Sequence, residues 1–184
     1  YNVSVGVEAL QANTTASGNT AVGYRAVYSN TTGAQNTAVG YESLYSNTTG
    51  PSNTAFGRVA LRANTTGAGN NALGYHALES NTTANANSAV GESALRNNTT
   101  GSNNTAVGNS ALRSNTTAGN NTAVGYFAGY NTTTGADNFF SGYFAGYANT
   151  SASSNIGIGS SSLRFNTTGS NNVAVGTTAL FSNT

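Results

Sequence analysis

One 17-residue unit repeats from end to end of the chain, and that repeat decides what the chain can fold into. Glycine marks its register at Gly6, Gly23, Gly40, Gly57, Gly74, Gly91, Gly108, Gly125, Gly142, Gly159 and Gly176, with no insertion or deletion between them. The clearest copy is Asn36-Thr37-Ala38-Val39-Gly40-Tyr41-Glu42-Ser43-Leu44-Tyr45-Ser46-Asn47-Thr48-Thr49-Gly50-Pro51-Ser52. A short period held without slippage marks a solenoid, in which each repeat covers the apolar face of the next. Tracts of Asn, Thr, Ser and Gly often stay disordered for want of apolar surface. Here the strict spacing argues for order, because a disordered tract gains nothing from it.

Three columns run through the repeat. Four residues before the glycine, Asn stands in every copy from Asn2 to Asn172. Seven after it, Asn stands in every copy from Asn13 to Asn183 except at Thr132. Eight after it, Thr stands throughout, from Thr14 to Thr184. Coils stacked at the strand spacing of ~4.8 Å bring identical amides into hydrogen-bonding reach, as in cross-β amide ladders.

Val or an equivalent precedes the glycine (Val22, Val39, Phe56, Leu73), and Leu or Val follows four residues after it (Val27, Leu44, Leu61, Leu78). These two columns are the expected core. Each is flanked by Ala, and neighbours on a strand point to opposite faces. The Ala column is therefore expected outside, where another copy of the chain can approach closely. The fold class that follows is all-β: a parallel β-solenoid (β-roll or β-helix) of 17-residue coils with two short strands per coil. One strand covers Asn-Thr-Ala-Val before the glycine, the other the five residues after it. The apolar positions lack the i, i+3, i+4 spacing of helix. About ten steps of ~4.8 Å give a rod about 50 Å long. Residues 1–184 read as a single domain of about ten and a half coils. Neither end carries an atypical capping repeat, so the domain is expected to be a segment of a longer fibre.

Variation concentrates one, two and five residues after the glycine. Tyr24, Tyr28, Tyr41, Tyr45, Arg58, Arg62, Tyr126, Tyr130, Tyr143 and Tyr147 fall there and form the candidate contact surface. Tyr and Arg are enriched at interaction hot spots, although exposed strands also favour Tyr for β-propensity alone. On a strand, the first, third and fifth positions share a face, so Tyr24 and Tyr28 are expected to flank Ala26. The pattern breaks where Gly129 and Gly146 replace Leu while Phe127, Phe144, Phe139 and Phe140 enter. An inward aromatic repacking is expected there, since core volume must be conserved.

Reactive chemistry is sparse. Charged residues make up 6% of the chain and the net charge is +1, which supplies no basic surface for nucleic acid. There is no cysteine, hence neither disulfide nor thiolate site. No apolar run is long enough to span a membrane. His76 is the sole histidine and reads as a solvated surface residue. Catalytic and metal sites need unlike groups that converge, whereas this chain repeats like groups in columns. The expectation is a non-enzyme without cofactor or metal. Asn13, Asn30, Asn47, Asn64, Asn81, Asn98, Asn115, Asn149 and Asn166 match the Asn-x-Thr/Ser glycosylation pattern, though the ladder reading explains them without a sugar.

The motif Asn-Thr-Ala-Val-Gly-Tyr-x-Ala-Leu-x-Ser-Asn-Thr-Thr-Gly resembles repeats of bacterial and phage tail-fibre-like proteins. More distantly it is similar to the head repeats of trimeric autotransporter adhesins, built on a left-handed parallel β-roll. The resemblance covers essentially the whole chain. It implies an extracellular, cell-surface or virion fibre that associates with itself as a homotrimer and presents a surface to a receptor or glycan. Two alternatives stand beside it. The Thr columns suggest an ice-binding solenoid, although adjacent residues on a strand face opposite ways. Open strand edges at the ends suggest an end-to-end filament.

Overall fold

A computed structural model describes residues 1–183, so Thr184, the last member of the Thr column, lies outside the described residues. The chain is an all-β solenoid. Its strands are β1 (Val3–Val5), β2 (Thr20–Val22), β3 (Thr37–Val39), β4 (Thr54–Phe56), β5 (Asn71–Leu73), β6 (Ser88–Val90), β7 (Thr105–Val107), β8 (Thr122–Val124), β9 (Phe139–Ser141), β10 (Ile156–Ile158) and β11 (Val173–Val175). They form one parallel sheet in chain order. Each strand meets the next one full repeat later: Thr37 pairs with Thr54, Ala38 with Ala55 and Val39 with Phe56. The register glycine has a steric reason. A Cβ on Gly40 would lie 2.5 Å from the Gly57 carbonyl oxygen, and its φ of 139° suits no L side chain.

Each coil carries one strand, not the two expected. The residues after the glycine form a turn-rich arc because the second and fourth of them take positive φ: 52° and 53° at Arg25 and Val27, 49° and 53° at Glu42 and Leu44. A strand needs φ near −120°. A left-handed dihedral costs a non-glycine residue about 1–2 kcal/mol. What the alternation gains is bonding in both directions along the axis. The Arg25 amide donates back to the Val7 carbonyl at 3.0 Å, and the Val27 and Ser29 amides donate forward to Ser43 and Tyr45, each at 3.0 Å. The coils are thus joined by backbone bonds around the arc as well as along the sheet.

The strand also turns the other way from expectation. Ala38, Ala55, Ala72, Ala89 and Ala106 are fully buried, while the neighbouring Val90, Val107 and Val124 are 41, 38 and 39% exposed. The inner space explains the reversal. At the Ala position of β10, a Cβ on Gly157 would sit 3.1 Å from Ser162 Oγ and 3.4 Å from Leu163 Cδ1. Only a small side chain fits between the sheet and the arc. The Leu column is in the core as expected, with Leu44, Leu61, Leu78, Leu95, Leu112 and Leu163 fully buried. Beside it the third residue of the arc, such as Ala26 or Ala60, is also buried. Ala26 therefore does not share a face with Tyr24 and Tyr28, because the arc is not a strand.

The aromatic stretch repacks around one ring rather than four. Phe140 replaces Ala in the inner column and is fully buried. It occupies the room left by two missing leucines: a Cβ on Gly146 would approach its ring to 2.4 Å, and one on Gly129 to 3.0 Å. Phe127 and Phe144 stay on the surface arc, half-buried and stacked at 5.4 Å, and Phe139 is exposed.

Candidate functional site: the ladders and the aromatic stripe

The two Asn columns and the Thr column line up along the rod and are bonded to one another. In the first Asn column, Oδ1 accepts from the next Asn's backbone amide, as from Asn19 to Asn36 at 2.8 Å and from Asn36 to Asn53 at 2.9 Å. Its Nδ2 reaches across the coil: Asn36 donates to the Gly50 carbonyl at 3.0 Å. In the second column, Nδ2 donates to the preceding Asn and also to the same carbonyl. Asn47 bonds Asn30 Oδ1 at 2.8 Å and the Gly50 carbonyl at 2.9 Å. The Thr hydroxyls donate to the next coil's Thr carbonyl, from Thr14 to Thr31 at 3.1 Å through to Thr150 and Thr167 at 3.2 Å. The amide ladders expected from the repeat are present.

The second ladder is interrupted twice: at Thr132, and again between Asn149 and Asn166, where Asn149 Oδ1 is buried without a partner and Asn166 donates only to the Gly169 carbonyl at 2.7 Å. Thr132 stands where Asn is required, and Asn149 reaches its hydroxyl at 3.4 Å. Asn115 Oδ1 is buried with no partner in the chain. The side-chain amides of the glycosylation triplets face inward. Asn30, Asn47, Asn64, Asn81, Asn98, Asn115, Asn149 and Asn166 are buried and Asn13 is half-buried. A sugar on any of these nitrogens would have to displace the ladder.

The arc carries the Tyr/Arg stripe. Tyr24 stacks on Tyr41 at 5.2 Å, Tyr28 on Tyr45 at 5.1 Å, Tyr126 on Tyr143 at 5.6 Å and Tyr130 on Tyr147 at 5.5 Å. Arginines continue the stacks. Arg58 lies between Tyr41 and Tyr75, at 5.5 and 5.4 Å from the ring centres, and Arg62 over Tyr45 at 5.8 Å. Such cation–π contacts contribute about 0.5–1 kcal/mol each at exposed sites. The stripe thus turns its ring faces along the axis, and the Tyr75 and Tyr130 hydroxyls accept from Arg58 and Arg113 of the preceding coil. Arg25, Arg113 and Arg164 stand in the same columns and join these stacks, over Tyr24 at 5.0 Å, Tyr130 at 5.7 Å and Phe144 at 4.7 Å. All six arginines, Arg96 among them, fall one, two or five residues after the glycine, so the sequence already places them on the stripe.

Ion pairs tie coil to coil beside the rings: Arg25 to Glu8 at 2.5 Å, Arg62 to Glu42 at 2.8 Å and Arg96 to Glu79 at 2.9 Å. The hydrogen bond to Glu8 raises the Arg25 guanidinium above its ordinary value. His76 is not a freely solvated residue as expected. It bonds Glu79 at 2.5 Å and packs on the Tyr75 ring at 3.8 Å, with its side chain 15% exposed. An open groove of about 300 Å³ lies on the stripe between Tyr45, Arg62 and Glu79. Among the described residues, no three His, Cys, Asp or Glu side chains come together as a metal site. Nor, among those residues, is any helix long and apolar enough to cross a membrane.

Fold and surface together define a laddered parallel β-solenoid rod with one ornamented stripe. Comparison with protein-family models, with curated proteins and with solved structures gave no match.

Proposed function

We propose that the chain is a structural segment of an extracellular fibre, on a cell surface or a virion, whose stripe meets a receptor or glycan. The observation that supports this reading is the continuity of the ladders. The Asn36-type bond recurs coil after coil, and the Thr bond recurs from Thr14 to Thr167. A load along the axis is therefore shared by the sheet, the arc and two unbroken side-chain columns at once. Groups are distributed for holding neighbours together rather than for converging on a reactant. Stretching the chain between its ends in a force spectrometer tests the reading. Coils should release one at a time, each lengthening the chain by about 50–55 Å once the ~4.8 Å rise of the folded coil is subtracted. Smooth extension without discrete release would contradict a load-bearing role. For the stripe, Arg58→Ala and Arg62→Ala together should abolish binding to host-cell glycans or receptors while leaving the fold unchanged.

The ice-binding alternative keeps one supporting observation. The second Thr of each pair, from Thr15 to Thr168, is exposed, whereas hydroxyls of the first donate to the next coil. Inhibition of ice recrystallisation that is lost on replacing Thr83 and Thr100 by Val would favour it.

A further inference from the structure

The reversal of the strand moves the surface that is open to a partner. The Ala column, expected as an interchain seam, is fully buried between β2 and β8. What the sheet presents outward is a pair of columns, three residues and one residue before the glycine. Typical pairs are Thr37 with Val39, Thr54 with Phe56 and Thr105 with Val107. No Asp, Glu, Lys or Arg occurs in any of the eleven strands, although ten of the eleven charges crowd onto the arc. Phe56, Leu73, Val90, Val107 and Val124 keep 38 to 41% of their surface in solvent. A continuous apolar strip of this length marks an association surface on a soluble protein. The arc differs, because its ring faces are already filled by neighbouring rings and guanidinium groups.

We propose that two copies of this chain pack sheet against sheet through these columns. This deepens the structural-rod reading and rests on it. Three features select a second copy as the occupant. The side chains repeat at the strand spacing of ~4.8 Å, and only a partner with the same spacing keeps ridge in groove along the whole rod. Neither face brings a charge into the seam, so none is left buried without a partner. The face measures about 50 by 10 Å, so a pair buries on the order of 1,000 Å², the lower bound for specific association. Bulk is also balanced across the strip: Phe56 stands beside Thr54, and Phe139 beside Ser141.

The test combines native mass with single cysteines, which report cleanly because the chain has none of its own. Light scattering is recorded over a range of concentrations for the full chain and for Val107→Glu, with circular dichroism and small-angle scattering confirming each fold. Val90→Cys and Thr100→Cys, the latter away from the sheet, are oxidised in parallel. The expected result is twice the chain mass, a cross-linked dimer from Val90→Cys but not from Thr100→Cys, and dimer affinity reduced about 100-fold by Val107→Glu. A single-chain mass at every concentration overturns the proposal, and if scattering still reports a rod about 50 Å long the structural reading survives. An oligomer indifferent to Val107→Glu, or a threefold mass, overturns it as well. So does a monomer whose ice-recrystallisation inhibition disappears in Val107→Glu, which would make ice the occupant.

Discussion

The side-chain amides of Asn36 and Asn47 meet on one acceptor, the Gly50 carbonyl, at 3.0 and 2.9 Å. Eleven residues apart in sequence, they close the coil at its corner. Each is also held by the coil before it, Asn36 through its backbone amide at 2.8 Å and Asn47 through its Nδ2 at 2.8 Å. Asn47→Ala removes two donated bonds and leaves the Asn64 amide without its acceptor at 2.8 Å. The expected cost is about 2–3 kcal/mol, because buried polar groups lose their partners. Urea unfolding checks the size, and amide exchange should quicken in the coils on both sides of Gly50.

The gap at Thr132 is a natural deletion from the same ladder. Thr132→Asn supplies a donor for the unpaired Asn115 Oδ1 and an acceptor for Asn149, now 3.4 Å from the threonine hydroxyl. Stability should rise by about 1 kcal/mol. A thermal melt shows it as an increase, and an unchanged or lower midpoint would mean that the corner cannot take the larger side chain.

Among the described residues Phe140 is the single large ring inside the solenoid, set against Gly129, Gly146 and Gly157. Phe140→Ala restores the column consensus yet should be severely destabilising, by about 3–5 kcal/mol, since no leucine is there to fill the space. Reinstating leucine at positions 129 and 146 in that background should recover much of the loss, as measured by chemical denaturation of the three variants.

Ala86 holds φ at 56° in an exposed corner where Gly18 and Gly69 stand in other coils, at 72° and 66°. Ala86→Gly should therefore stabilise the chain by about 1 kcal/mol by relieving a left-handed alanine. Gly69→Ala is the converse. Its Cβ would meet nothing within 4 Å, so any loss there reports the dihedral alone.

The repeat made the parallel stack, the register and the amide ladders readable in advance, because like residues one coil apart have to meet. The leucine core was readable for the same reason. The facing of the strand was not. Alternation says that Ala38 and Val39 point apart, but which one points inward depends on the width of the coil, and that width is set by the arc. The arc itself was hidden because Arg25, Val27 and Leu44 give no local sign of left-handed dihedrals. For the stripe, the columns located the rings, while their stacking on one another rather than toward solvent followed only from the coil spacing. His76 was misjudged because a strand would point the second and fifth residues after the glycine to opposite faces, whereas the arc brings Glu79 to it.

Each 17-residue unit is one coil of a stack, and a deletion tests that most directly. Small-angle scattering would compare the intact chain with a variant lacking residues 75–91, which joins Gly74 to Glu92 in register. The rod should shorten by ~4.8 Å with its cross-section unchanged, whereas a deletion one residue shorter should lose the fold. Equal tolerance of both deletions, or a length that does not change with the coil removed, would contradict it.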